Sequence, residues 1–147
     1  MSTPEQALAE RVVGHMMASD RFSQWLGISV VFVAPGRSTV QMTVRDDMVN
    51  GFGIGHGGIT FSLADSALAF ATNTGGNVSV ALDCTISFPA AVRVGDVLTA
   101  VAEVESSSSK LSFCNITVRK QDDVIVGHFR GTVYHTQKPH FAEGVGS

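Results

Sequence analysis

The stretch ITFSLADSALAFATN, Ile59 to Asn73, is rich in Ala, Leu and Phe and carries Asp65 as its only ionisable side chain. A helix that is apolar on nearly every face must be surrounded by the rest of the chain, because no side of it belongs in water. The chain after it is β-rich: VSVALDCTISF, DVLTAVAEVES, KLSFCNITVRK and VIVGHFRGTVYHT, joined by PAAVRVG, SSSS and QDD. Connectors this short hold no crossover helix, so these four runs are expected as an antiparallel meander. Ahead of the helix, WLGISVVFVA and STVQMTVRD flank Pro35 and Gly36 and predict a hairpin. One buried helix among such strands specifies an α+β fold in which a curved antiparallel sheet wraps one central helix.

At the amino end, Ser2 or Thr3 is placed to cap a helix with Pro4 in its first turn. Leu8, Val12, Val13, Met16 and Met17 recur at helical spacing, so an N-terminal helix over 1–20 is expected. The 147 residues show no repeat or linker and read as one domain over 1–147, with 137–147 a loosely ordered tail. A formal net charge of -3 supplies no overall basic field, so neither nucleic acid nor membrane is an expected partner. The chain lacks a secretory pattern and any bilayer-length apolar run, and its expected setting is cytoplasmic. Cys84 and Cys114 fall in strand-like runs without ligand spacing and read as reduced thiols. His15, His128, His135 and His140 are scattered, so no metal site is expected.

GFGIGHGG, Gly51 to Gly58, leads into the helix. Gly53, Gly55 and Gly58 satisfy G-x-G-x-x-G, and Asp83 stands roughly where a ribose ligand is sought. That fingerprint requires a continuously apolar parallel strand before it, whereas STVQMTV alternates like a half-exposed antiparallel one. The dinucleotide reading is the weaker alternative. A helix N-terminus offers unpaired N–H groups and partial positive charge, which suit Gly57 or Gly58 to polarising a substrate carbonyl. Asp65 has two readings: a structural carboxylate bonded to Ser62, Ser66 or a backbone amide, or a general base or nucleophile in a partly dry cleft. Gly57 and Asp65 stand eight residues apart, about 12 Å along a helix, too far to share one carbonyl within one chain. If both act, they come from different subunits across an isologous interface.

NGFGIGHGGITFSLADSALAFATN, with SFPAAVRVGD and GHFRGTVYHT after it, resembles the hotdog-fold acyl-CoA thioesterases, specifically the small thioesterases of bacterial phenylacetate degradation. The similarity runs from WLGI to YHT. It implies an antiparallel sheet around a central helix, a homodimer as the active unit, association into a homotetramer, and no cofactor. It assigns Asp65 as the catalytic carboxylate, as nucleophile or as base on water. Gly57 N–H polarises the thioester carbonyl, Asn50 orients water or substrate, and His56 supports the site. Gly58, Phe52 and Phe88 are candidates to contact an aryl-acetyl group. Arg93 and Lys110, with Arg119 and Lys120, are candidates for the coenzyme A phosphates. The same fold hosts hydratases and non-catalytic acyl-CoA binders. A single Asp65 in place of a histidine pair disfavours the first, and the lack of an output domain disfavours the second.

Overall fold

In the computed structural model, which describes residues 2–142, the apolar stretch forms helix α3 (Gly57–Asn73). It is preceded by α1 (Pro4–Ser19), α2 (Arg21–Leu26) and the hairpin β1 (Ser29–Ala34) and β2 (Arg37–Thr43). After it come β3 (Asn77–Ser87), β4 (Val97–Ser107), β5 (Leu111–Arg119) and β6 (Ile125–Pro139). The strands form one six-stranded sheet, ordered β1-β2-β4-β5-β6-β3 and antiparallel at every pairing. α3 packs across its concave face, as its composition requires.

Strand alternation supplies the concave face. Val40 and Met42 of β2, Leu98 and Ala100 of β4, and Ile116 and Val118 of β5 are buried, while their neighbours point outward. Against them α3 sets Leu63, Ala64, Ala67, Leu68, Phe70 and Ala71, all buried. β6 comes close to α3 at Gly131, where a Cβ would stand 2.6 Å from Leu68 Cδ2. Thr3 caps α1, its side chain accepting from the Gln6 N–H, with Pro4 at the first position.

Three local expectations are corrected. Trp25 and Leu26 do not begin a strand: Asp20 caps a second helix by accepting from the Ser23 N–H, and Gly27, at φ 76, ends it in the left-handed conformation before β1 starts at Ser29. The four-strand meander is only β4-β5-β6, because β3 pairs with the far side of β6. The connection over 88–96 is too short for a helix but long enough, extended, to pass beneath two strands at about 4.8 Å per spacing. The tail begins later than 137, since β6 continues to Pro139, His140 Nε2 bonds Asn73 Oδ1 at 2.7 Å, and the Arg11 guanidinium lies 3.8 Å from the centre of the Phe141 ring. Residues 143–147 of that expected tail lie outside the described residues.

Gly131→Ala is expected to cost about 1–3 kcal/mol in urea denaturation by overpacking against Leu68. The cost should shrink in a Leu68→Ala background, which makes room for the added methyl.

Candidate active site

Hydrogen bonds within the turn leading into α3 commit most of its N–H groups. Asn50 closes the turn: its Oδ1 accepts from the Phe52 N–H at 2.9 Å and the Ile54 N–H at 3.4 Å, and its own N–H donates to Ile54 O at 2.8 Å. Its amide nitrogen has no acceptor among the described residues and remains available as a donor. The Gly55 N–H donates to Val92 O at 2.6 Å, and a Cβ on Gly55 would stand 2.8 Å from Val92 Cγ1. His56 is the N-cap of α3, its Nδ1 accepting from the Gly58 N–H at 2.8 Å. The Gly58 amide is therefore committed to the cap. The Gly57 N–H has no acceptor among the described residues and is the open donor of this helix end.

Gly57 opens onto a cleft of ≈ 420 Å³ whose lining includes Asn50, Ile54, Thr60, Phe88 and Val92. Phe88 forms one wall, with its Cζ 3.1 Å from where a Cβ on Gly57 would be. The structure thus brings Asn50, Gly57 and Phe88 together, with His56 and Gly58 forming the cap beside them.

Asp65 lies two turns further along α3, half-buried, and makes no hydrogen bond among the described residues. The partners of its structural reading are engaged elsewhere. Ser62 Oγ donates to Gly58 O at 2.8 Å, and Ser66 Oγ is bonded to Ser23 Oγ at 2.8 Å. Burial, and then the negative charge of Asp20, push the Asp65 carboxyl above the ordinary value of 3.8. Cys84 stands nearby on β3, its thiol pushed up by burial, then by Asp65 and Asp83. Phe61, one helical turn before Asp65, meets Phe129 edge-on with ring centroids 5.2 Å apart. Because α3 is one continuous helix through both residues, Gly57 and Asp65 remain about 12 Å apart along it.

Other candidates divide by position. Arg93 adjoins the cleft through Val92, and Lys120 Nζ reaches Ala91 O at 3.5 Å and Asp96 Oδ2 at 3.9 Å. Lys110 sits beyond the opposite end of β4, roughly 33 Å away at about 3.3 Å per residue, so one chain does not bring it beside Arg93. Phe52 is 90% exposed and is not part of the lining of this cleft. Arg119, at the end of β5, follows buried Val118 and points to the outer sheet face. His135 is held between Ser79 Oγ and Ser112 Oγ, at 2.7 and 2.6 Å. Sequence reasoning missed Asp20, whose effect on Asp65 crosses 45 positions of chain and leaves no local signal.

The chain is similar to known thioesterases. The profile of the thioesterase superfamily matches residues 52–126. The acyl-coenzyme A thioesterase PaaI of Escherichia coli is 39% identical over 116 residues, covering 79% of this chain and 83% of that protein. The solved structure of the E. coli PaaI protein from the phenylacetic acid degradation operon has a TM-score of 0.89 at 34% identity, covering 91% of this chain and 97% of that one. A mutant of the phenylacetic acid degradation protein PaaI from Thermus thermophilus has a TM-score of 0.76 at 34% identity, covering 78% and 98%.

A carboxyl whose folded value is raised contributes stability below its unfolded value and loses it as pH rises through the folded one, so ionised Asp65 destabilises the fold at neutral pH. Asp65→Asn is therefore expected to melt at higher temperature than wild type at pH 7. The difference should narrow as pH falls toward 3.8, as measured by calorimetry across pH.

Proposed function

Because the chain belongs to the thioesterase superfamily and is an acyl-CoA thioesterase of the hotdog fold, we propose that it hydrolyses phenylacetyl-CoA or its ring-hydroxylated relatives at the paired sites of a homodimer. Each site joins Asp65 of one subunit to Gly57, Asn50 and His56 of the other. The observation that carries this reading is the pairing on α3 of an open N–H at Gly57 with an unpartnered, half-buried carboxylate at Asp65, about 12 Å further along. Two α3 helices running antiparallel about a twofold axis put each donor opposite the other chain's carboxylate.

The edge of the sheet supports such pairing. β3 is an outer strand, and Val80 and Leu82 on it are 47% and 60% exposed. A long apolar edge of this kind invites another strand, and a second β3 fits it. Association of two dimers into a tetramer belongs to the same reading, supported by exposed Val101, Phe113 and Tyr134 on the outer face. Phe88 and Phe61 flank the reacting groups with apolar surface suited to an aryl-acetyl chain. Arg93 and Lys120 are the cations beside the cleft for coenzyme A phosphates. Free Cys84 and Cys114 suit a cytoplasmic setting.

Two groups carry the chemistry. The Gly57 N–H bonds the thioester carbonyl oxygen and strengthens that bond as negative charge develops on it. In the nucleophilic route, Asp65 attacks the carbonyl carbon, the C–S bond breaks, and the coenzyme A thiolate departs and takes up a proton. Water then hydrolyses the mixed anhydride and restores the carboxylate. In the general-base route, Asp65 takes a proton from the water that attacks, then returns it to the leaving thiolate. The Asn50 amide donor orients that water or the acyl oxygen. His56 Nδ1 is occupied by the cap, which favours a supporting role over proton transfer.

Thiol release from phenylacetyl-CoA should fall by about 10²-fold or more in Asp65→Asn, a loss typical of a removed general base. Full activity in the folded variant would refute the assignment. In single-turnover hydrolysis in heavy-oxygen water, label appearing in Asp65 selects the anhydride route. Co-expressing Asp65→Asn with Asn50→Ala chains should restore about a quarter of wild-type activity, because random pairing leaves one intact site in each heterodimer. No recovery on mixing would place both groups in one chain.

A further inference from the structure

We propose that Asp20, fixed at the start of α2 and tethered through Ser23 to Ser66, is a positioning residue whose charge sets the pH at which thioester hydrolysis switches on. The inference rests on Asp65 as the reacting carboxylate, and it adds a residue that neither the turn into α3 nor the cleft contains.

The tether is a directed chain of hydrogen bonds. Asp20 Oδ1 accepts from the Ser23 N–H at 3.0 Å, and Asp20 Oδ2 accepts from Ser23 Oγ–H at 2.6 Å. With that hydroxyl proton committed to Asp20, Ser23 Oγ accepts from Ser66 Oγ–H at 2.8 Å. Ser23 is 1% exposed and Ser66 is 8% exposed, so the chain runs through the interior and holds the α2 cap against the turn of α3 that carries Asp65. Both Asp20 oxygens are engaged by Ser23. Its carboxylate is therefore fixed in place against the interior.

The remaining charged groups around α3 do not duplicate this arrangement. From β3, Cys84 faces the Asp65 region as a thiol kept protonated by burial, and Asp83 beside it is exposed. β2, β4, β5 and β6 turn Arg37, Glu103, Arg119 and Arg130 outward, each next to a buried residue of its strand. α1 carries Glu10 and His15 on its exposed side. Asp20 is linked through Ser23 and Ser66 to the very turn that carries Asp65, and its charge adds to burial in raising that carboxyl. Hydrolysis by either route requires Asp65 ionised, and a fixed like charge beside it moves that ionisation to higher pH.

The test is a pair of substitutions that keep the helix cap and remove the charge, Asp20→Asn and Asp20→Ser, since both residues cap helices well. Two curves are read on the intact protein: the acid limb of kcat/KM for phenylacetyl-CoA, and the titration of the Asp65 carboxyl carbon by NMR, assigned by its loss in Asp65→Asn. In both variants both curves should move to lower pH, with the plateau rate retained. Ser66→Ala, which cuts the tether but leaves both carboxylates, should move them the same way by less. An Asp65 titration unchanged in both Asp20 variants overturns the inference, whatever the activity of Asp65→Asn. An active Asp65→Asn instead overturns the reading on which it rests. A loss of rate at every pH with no shift of either curve marks Asp20 as merely structural and also overturns the inference.

Discussion

The enclosure of α3 by the sheet governs the rest of the molecule. Leu63, Ala67, Leu68 and Phe70 hold the helix against the strands, and Gly131 lets β6 approach Leu68 more closely than any side chain would permit. A helix fixed on that side can present polar groups only at its ends and along its uncovered flank. Gly57 occupies the first of these positions and Asp65 the second. Their separation is set by the helical rise, which no side-chain adjustment alters. The chemical reach of one chain is thereby limited, and β3 stands at a free edge of the sheet.

Polar groups near the site divide into those consumed by structure and those left over. Asn50 Oδ1, the Gly55 N–H, His56 Nδ1 and the Gly58 N–H are spent building the turn and capping the helix. The Gly57 N–H and the Asp65 carboxylate are left without protein partners among the described residues. Unsatisfied groups of this kind cost stability. The two have complementary character, one a hydrogen-bond donor and the other a carboxylate, as the proposed function requires of them. The glycines carry separate duties. Gly55 permits close approach to Val92, Gly57 leaves room for Phe88, and Gly58 accommodates the His56 ring. This explains why the stretch imitates a phosphate-binding fingerprint without the parallel strand that fingerprint requires.

Much of the fold and part of the site were legible in residue order. The helix from Gly57 to Asn73 was implied by its apolar composition, the β runs by their alternation and short connectors, and the cap of α1 by Thr3 and Pro4. The isolation of Asp65 was visible because nothing else in that stretch ionises. Less legible were α2, whose six residues are too few to show a period, and the place of β3, whose pairing with β6 spans most of the second half of the chain. Among the cations, only position in space distinguishes Arg93 and Lys120, beside the cleft, from Lys110 at the far end of β4.

The sequence by itself determined that a buried helix would carry one carboxylate behind a glycine-rich turn, because periodicity and composition are local and a lone charge in an apolar stretch is conspicuous. Tertiary structure decided which glycine amide stayed open, since that depends on His56 turning its ring to Gly58. It also decided which β runs became neighbours, and that Asp20 would stand near Asp65 through Ser23 and Ser66. Those outcomes rest on hydrogen bonds and strand pairings between segments far apart in the chain, and the energies that select them exist only once the segments have been brought together.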